Sequence, residues 1–166
     1  MRILGIDPGY AIIGLGVLEY TGVNFAVVNY GAITTPAGMD FTRRLKIIYD
    51  DTCEYMDRFS PDVVSIEKLF FNTNQKTGID VSQARGVIIL AATQRCIPVF
   101  EYTPLQVKQA VVGYGRAEKH QVMDMTKRIL GLKSVPKPDD TADALAMAIC
   151  HGHCSHSAAM RKENFK

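Results

Sequence analysis

Three β-strands are predicted within residues 2–34, RILGIDPGYAIIGLGVLEYTGVNFAVVNYGAIT. The segments 2–7, 12–20 and 23–34 are rich in β-branched and aromatic residues, and the turn-forming residues Asp-Pro-Gly and Thr-Gly separate them. Connections this short join antiparallel neighbours, whereas parallel strands need a longer crossover. We therefore expect the chain to open with a three-stranded antiparallel meander.

The rest of the chain alternates between helical and strand patterns. From Phe41, apolar residues recur with a period near 3.6 until Ser60-Pro61, which predicts an amphipathic helix. The apolar segments 62–67 and 97–102 predict strands, the first of them covered on both faces. Further helices are predicted over about 77–95, 103–113 and 118–130, and from Asp139 or Asp140 onwards. This order predicts an α/β domain in which helices flank a mixed five-stranded sheet.

Length and composition exclude several classes of protein. The chain has 166 residues, 47% of them hydrophobic and 22% charged, which suits one globular domain and argues against disorder. Its net charge of +2 does not by itself indicate a nucleic-acid binder. The apolar runs are shorter than the ~20 residues that span a bilayer, and the N-terminal residues lack the pattern of a signal peptide. We expect no membrane segment, a cytoplasmic location with reduced cysteines, a domain over residues 1–155 and a flexible tail over 156–166.

Two acidic residues stand at the ends of predicted strands. Asp7 ends the first strand before Pro-Gly, and Glu67 ends the strand DVVSI. If these strands are neighbours, their ends lie ~4.8 Å apart. Two carboxylates about 4 Å apart repel by roughly 4 kcal/mol at an effective dielectric constant of 20, and a cation would remove that cost. The alternatives are a turn cap for Asp7 and a salt bridge for Glu67.

Further acids begin the last predicted helix. Asp140 and Asp143 are three residues apart and Asp139 and Asp143 are four apart, so either pair shares one helical face, and the spacing does not choose between them. Acids at a helix N-terminus also serve as ordinary caps. In the company of Asp7 and Glu67, however, they favour a site for a hard cation such as Mg²⁺ or Mn²⁺.

Five motifs, in order, resemble those of the RuvC family of bacterial Holliday junction resolvases: MRILGIDPGYAIIGLGVLE, VVSIEKLFFN, QARGVIILAA, TPLQVKQAVVGYGRAEKHQV and PDDTADALAMAICHGH. The resemblance covers essentially the whole chain and implies an RNase H-like fold and a site of four carboxylates for two Mg²⁺ ions, with Mn²⁺ as an alternative. The family pattern places these carboxylates at Asp7, Glu67, Asp140 and Asp143. The register of D-x-x-D-A-L favours Asp140 and leaves Asp139 as a neighbour or a cap.

Candidate DNA-binding residues come from a basic stretch and from one aromatic residue. Residues 103–137 contain seven Lys or Arg and only two acids, a pattern typical either of a phosphate-binding surface or of a solvated helix face. Arg116 lies in its glycine-containing segment GYGRAEKH. The resemblance implies that Lys108 and Lys119 act near the scissile phosphate. It also places Phe70, rather than Phe71, where an aromatic ring stacks on an unpaired base, although core packing is the usual role of a Phe.

The resemblance also implies partners. The family is homodimeric, which sets two identical sites against the two strands to be cut, and it works with the branch-migration proteins RuvA and RuvB. The helix that contains GVIILAATQ is too apolar around its circumference to have one solvated side. We therefore expect this helix to pack on two sides, and it is the candidate for burial between protomers.

Two other groups of residues invite a functional interpretation. The segment CHGHCSH (150–156) is rich in metal-ligating residues, but it offers no second cysteine pair, and we expect Gly152 to interrupt the helix and the helix end to fray. Glu101 is a rival carboxylate, for which a loop or capping role is favoured.

The favoured function is a structure-selective endonuclease that resolves four-way DNA junctions in recombination and repair. Paired, symmetric, metal-dependent hydrolysis would leave 5′-phosphate and 3′-hydroxyl ends. A fragment of an actin-like ATPase is a second hypothesis, because Asp-Pro-Gly followed by Gly14 and Gly16 could cradle a phosphate, but the chain is too short for two such domains. A non-catalytic junction-binding module is a third, and the four intact acids argue against it.

Overall fold

The computed structural model describes residues 1–69 and 75–163, with side chains described outside 75–77 and 156–163. In chain order its elements are β1 (Arg2–Asp7), β2 (Ile12–Tyr20), β3 (Phe25–Thr34), α1 (Phe41–Phe59), β4 (Val63–Glu67), α2 (Gln75–Gln94), β5 (Val99–Tyr102), α3 (Pro104–Val112), α4 (Lys119–Ile129) and α5 (Asp139–Glu163). The predicted opening meander and the alternation that follows it are confirmed.

The five strands form one mixed sheet in the order β3-β2-β1-β4-β5. β1 pairs antiparallel with β2, and β2 with β3, while β4 runs parallel to both β1 and β5. β4 lies inside the sheet, and its residues Val63–Ile66 are buried, as its continuous apolar sequence predicts. The prediction of a mixed five-stranded sheet is confirmed.

Helices cover both faces of this sheet. The core between the sheet and α1 and α2 includes Leu4, Ile6, Ile48 and Ile88, and the core under α3, α4 and α5 includes Leu145 and Ile149. α1 begins where the Asp40 side chain accepts hydrogen bonds from the amides of Thr42 and Arg43, and it ends at Ser60 in the left-handed conformation (φ 43°). α3 has a capping box between Thr103 and Gln106, with Pro104 in the first turn.

α5 packs unusually close to the sheet because glycines lie beneath it. A Cβ added at Gly5 would stand 2.0 Å from the Ala144 carbonyl oxygen, and one added at Gly14 would stand 1.9 Å from the Asp140 carbonyl oxygen. Any side chain at these positions would therefore push the helix away. The glycines of β1 and β2 thus set how near the first turns of α5 come to the end of β1.

The prediction that Gly152 interrupts the last helix is wrong. α5 continues through it to Glu163, and a Cβ at Gly152 would lie 2.5 Å from the ring of Phe25. Tyr20 and Phe25 stack at a centroid distance of 4.5 Å and occupy this space. Gly152 is therefore a packing glycine, and the tail predicted from residue 156 stays a prediction.

α2 packs on one side only within the chain. Ala84, Ile88 and Ala91 are fully buried, whereas Ile79 is 54% exposed and Leu90 is 48% exposed. The expectation of packing on two sides is therefore wrong for the single chain, because the outer apolar residues of α2 face solvent. Among the helices that the structure describes, none is long and apolar enough to cross a membrane.

Candidate active site

Asp7 and Glu67 stand side by side at one edge of the sheet. They are the last residues of β1 and β4, which run parallel, and the pairing places Ile6 opposite Ile66. Parallel neighbours present their carboxyl ends at the same edge, where open α/β sheets build their sites. Because β1 and β4 pair, Asp7 and Glu67 are neighbours, which is the arrangement expected if these two strands lie side by side.

Asp140 and Asp143 reach this edge from the first turns of α5. The close contact between Gly14 and Asp140 places the start of α5 against β2, next to the end of β1. The buried Ser65 hydroxyl of β4 donates a 2.8 Å hydrogen bond to the Met147 carbonyl oxygen, which fixes the following turn of α5 to the sheet. The acids thus converge from three separate parts of the chain.

A cleft of about 200 Å³ opens where these elements meet. Its charged lining consists of Asp7, Glu67, Lys108, Lys119 and Asp143. Apolar side chains from α3, α4 and α5, among them Val107 and Met147, form the rest of the wall. Charged groups on an apolar wall interact more strongly than they would in water, because the local dielectric constant is lower.

The electrostatics of Asp7 are the most perturbed feature of the cleft. The pKa of Asp7 is raised from 3.8 to about 7, chiefly by burial and then by the negative charges of Asp143, Glu67 and Asp140, while Lys119 lowers it. The pKa of Glu67 is also raised, by burial and by Asp143. Several carboxylates that oppose one another's ionisation in a cleft are the arrangement that a divalent cation stabilises.

Lys119 supplies a positive charge inside the cleft. Its Nζ lies 2.8 Å from Oδ2 of Asp143, and this hydrogen bond raises the pKa of Lys119. Lys108 of α3 lines the same cleft. Arg116 is exposed in the connection between α3 and α4. It does not line this cleft.

The carboxylates suit a hard cation by their chemistry, but their side chains do not meet at one point. Among the residues whose side chains the structure describes, 1–69 and 78–155, no three His, Cys, Asp or Glu side chains are arranged to hold an ion together. Asp143 is held by Lys119 instead. Oxygen donors with mutual repulsion nevertheless fit Mg²⁺ or Mn²⁺, and Asp7, Glu67, Asp140 and Asp143 are the residues that could hold it. Their role as ligands stays a prediction.

Comparison with known proteins identifies the family. The family model described as crossover junction endodeoxyribonuclease RuvC matches residues 3–151. The protein of that name from Ruminiclostridium cellulolyticum is 56% identical over 160 residues, covering 96% of each chain. The one from Clostridioides difficile is 57% identical over 153 residues, covering 92% of this chain and 90% of the relative. The chain belongs to the RuvC family.

Solved structures agree with this assignment to the RuvC family. The Thermus thermophilus RuvC structure superposes with a TM-score of 0.88 at 35% identity, covering 95% of this chain and 97% of the other. T. thermophilus RuvC in complex with Holliday junction substrate superposes with a TM-score of 0.87 at 33% identity, covering 95% and 96%. The predicted RNase H-like fold is confirmed.

Two further acids that the sequence offered as alternative site carboxylates have other partners. Asp139, the first residue of α5, has Oδ1 2.6 Å from Nζ of Lys137, and this hydrogen bond lowers its pKa. Glu101 forms an ion pair with Arg85 of α2. The structure thus gives Asp139 and Glu101 local partners. Phe70, the predicted stacking residue, lies outside the described residues.

Two histidines of the segment CHGHCSH, His151 and His153, take part in packing. His151 is 3% exposed, and its Nδ1 lies 2.9 Å from the hydroxyl oxygen of Tyr102. Nδ1 of His153 lies 3.0 Å from the Ala110 carbonyl oxygen. Burial raises the pKa of the Cys150 thiol. These contacts tie α5 to β5 and α3 in this RuvC-family chain.

Sequence reasoning missed two kinds of residue that shape the site. Gly14 and Gly5 carry no chemistry, yet they admit α5 to the site, and their signal was the presence of glycine inside strand patterns. Arg85 was quoted only as part of a motif, although its Nε donates a 3.0 Å hydrogen bond to the Glu67 carbonyl oxygen. That contact joins residues of α2 and β4 and leaves no periodic trace in the sequence.

Proposed function

We propose that this chain resolves four-way DNA junctions by paired, symmetric, metal-dependent hydrolysis that leaves 5′-phosphate and 3′-hydroxyl ends. As a RuvC-family member it is a crossover junction endodeoxyribonuclease. The observation that carries the chemical part of the proposal is the crowding of carboxylates around Asp7, whose pKa is raised to about 7 at the edge of a cleft that also contains Lys108 and Lys119.

Asp7, Glu67, Asp140 and Asp143 are the proposed ligands of two Mg²⁺ ions, with Mn²⁺ as an alternative. Bound divalent cations would activate the attacking water and stabilise the leaving 3′ oxygen. The protein contributes the placement of these ligands on β1, β4 and α5, which are rigid elements, so little reorganisation is needed during the reaction.

Lys119 and Lys108 are the proposed contacts to the scissile phosphate. The ammonium of Lys119 lies at the acidic cluster through its contact with Asp143 and would be available to a phosphate oxygen that enters the cleft. Lys108 reaches the same cleft from α3. A positive charge positioned where negative charge develops lowers the barrier to phosphodiester cleavage.

The basic stretch 103–137 is proposed to bind the phosphates of the DNA arms. Its seven Lys or Arg include Arg116, which is exposed between α3 and α4. Phe70 is proposed to stack on a base at the branch point, as the family pattern suggests. Phosphate contacts of this kind position the duplex without reading its sequence.

A homodimer that contacts DNA through both sites is the proposed assembly. Support comes from α2, whose outer apolar residues Ile79 and Leu90 are 54% and 48% exposed. A two-fold axis would set the two sites against opposite strands of the junction. RuvA and RuvB are proposed as further partners. The cytoplasm is the proposed location, because the proposed substrate is chromosomal DNA.

A synthetic four-way junction with 5′-labelled strands tests the function. We expect paired nicks that depend on Mg²⁺ and yield ligatable ends, and we expect Asp7→Asn to bind the junction but not cut it. A band shift without cutting would favour a binding module, and ATP turnover would favour an ATPase. Loss of binding together with loss of folding in Asp7→Asn would contradict the metal-ligand role.

A further inference from the structure

Arg85 contacts the nuclease site from behind, on the face of the sheet opposite to α5. It lies on α2, and its side chain is 15% exposed. Its Nε donates a 3.0 Å hydrogen bond to the backbone carbonyl oxygen of Glu67, and its Nη2 forms the ion pair with Glu101. One guanidinium therefore joins α2 to the carboxyl ends of both β4 and β5.

The Glu67 carbonyl needs a donor from outside the sheet. Pairing between β1 and β4 ends with Ile6 opposite Ile66, one residue before Glu67. On the other side of β4, the Lys68 amide donates a 2.8 Å hydrogen bond to the Tyr102 carbonyl oxygen. Beyond the last residue pair between β1 and β4, the Glu67 carbonyl oxygen accepts from the side chain of Arg85 in place of a backbone amide. Because this donor is charged, the hydrogen bond is stronger than one between neutral groups.

Glu101 sets the direction of the guanidinium. It stands opposite Ile66 in the β4–β5 pairing, one residue from the register position of Glu67. Its carboxylate is 43% exposed, so the ion pair adds little stability by itself. Its effect is geometric, because a carboxylate that accepts from Nη2 of Arg85 orients Nε of the same guanidinium toward the Glu67 carbonyl oxygen.

We propose that Arg85, oriented by Glu101, is a positioning residue of the nuclease site that fixes the backbone of Glu67 and thereby the reach of its carboxylate. This proposal rests on the proposed function. The side chain of Glu67 lines the cleft, whereas its backbone carbonyl is held by Arg85 of α2. A change at Arg85 would therefore shift the Glu67 backbone and, with it, the carboxylate proposed as a metal ligand. Groups that orient ligands in this way are worth about 10–100-fold in metal affinity or activity.

α2 makes this link relevant to assembly as well. Ala84 and Ile88, on either side of Arg85 along the helix, are fully buried against the sheet side of α2. The opposite side of α2 carries the exposed Ile79 and Leu90 proposed for the dimer. A shift of α2 on dimer formation would therefore reach Glu67 through Arg85.

The test compares Arg85→Gln with matched variants in the full-length chain. Single-turnover cleavage of a saturating four-way junction is measured across a Mg²⁺ titration, and junction affinity is measured in EDTA. We expect Arg85→Gln to slow cleavage about 10–100-fold and to raise the Mg²⁺ concentration of half-maximal rate, with junction affinity unchanged within about 2-fold. Arg85→Lys should recover part of the loss, and Glu101→Gln should lose less than Arg85→Gln.

Arg95→Gln is the matched control. Arg95 follows α2 and forms an equivalent ion pair with Asp57, with 2.6 Å between Nε and Oδ1, remote from the cleft. We expect it to leave the Mg²⁺ midpoint unchanged. A Mg²⁺ titration of Arg85→Gln that superposes on that of wild type, or on that of Arg95→Gln, overturns the proposal.

A readout that needs no activity separates this proposal from the proposed function. Hydrogen exchange at the amides of Glu67 and Lys68 should be faster in Arg85→Gln than in wild type or Arg95→Gln, because the end of β4 loses its anchor. Failure of the wild-type protein to cut junctions would contradict the proposed function. Unchanged hydrogen exchange at these amides in Arg85→Gln would contradict the role of Arg85. If Arg85→Gln does not fold, the same measurements on Arg85→Lys and Glu101→Gln decide.

Discussion

At the scale of single residues, the ionised carboxylate of Asp7 lowers the free energy of unfolding, because burial and its neighbours disfavour its charge. The pKa of Asp7 is about 7 in the folded chain against the ordinary value of 3.8 for an Asp carboxyl. Between these values the folded state binds more protons than the unfolded state, so the free energy of unfolding falls as pH rises through this window and stays low above it. Each pH unit between the two pKa values corresponds to ~1.4 kcal/mol.

We therefore expect Asp7→Asn to be more stable than wild type at pH 8 in EDTA, by a few times the ~1.4 kcal/mol that one pH unit represents. Near pH 4 the two proteins should differ little, because Asp7 is still protonated in the folded state and the pH lies close to its unfolded-state pKa of 3.8. Urea unfolding at the two pH values measures this difference. An Asn variant without added stability at pH 8 would show that burial and the neighbouring carboxylates do not disfavour the charged form of Asp7.

Lys119 contributes charge rather than stability. Its side chain is 58% exposed and its partner Asp143 is 30% exposed, so the ion pair adds little to the free energy of unfolding. We expect Lys119→Ala to slow junction cleavage by about 100-fold, the loss typical of removing one electrostatic stabiliser, with an unchanged melting temperature. Lys46→Ala, at an exposed lysine of α1 that forms an ion pair with Asp50 outside the basic stretch, is the control, and an equal effect of both substitutions would refute a specific role for Lys119.

At the scale of elements, the approach of α5 to β2 determines where the acids of its first turn lie. A Cβ at Gly14 would stand 1.9 Å from the Asp140 carbonyl oxygen, a backbone atom of α5 that cannot rotate out of the way. We expect Gly14→Ala to destabilise the fold by about 1–3 kcal/mol. It should also lower cleavage further than the lost stability explains, because the first turn of α5 must move.

Gly31→Ala is the matched control for that prediction. Gly31 lies in β3, and a Cβ there meets nothing within 4 Å. Chemical unfolding together with single-turnover cleavage, at a temperature where both variants are folded, provides the comparison. Equal behaviour of the two variants would mean that the contact between Gly14 and α5 does not position the acids.

At the scale of the whole molecule, we expect α2 to join two protomers. Leu90→Lys places a charge on its exposed apolar side and should convert the dimer into a monomer in sedimentation experiments. On a cruciform plasmid this monomer should give nicked circles in place of linear product, because one encounter then supplies a single site. Val23→Lys, at a residue that is 80% exposed beyond β2, should leave both readouts unchanged. A dimeric Leu90→Lys would exclude this face.

The sequence by itself determined the elements and the list of charged candidates. Periods of 2 and 3.6 are local, so the meander, α1 and the buried strand β4 could be predicted from neighbours along the chain. The placement of Asp7 and Glu67 at strand ends was also local, since turn residues and strand length decide it. The RuvC motifs then named the same acids.

Only the tertiary structure decided how these parts meet. The pairing of β1 with β4 made Asp7 and Glu67 neighbours, and the glycines beneath α5 set its distance from them. The partner of Asp143 is Lys119 from α4, and the donor to the Glu67 carbonyl is Arg85 from α2. Such contacts depend on packing between residues far apart in the chain, where side-chain volume and charge act through space and no periodic pattern records them.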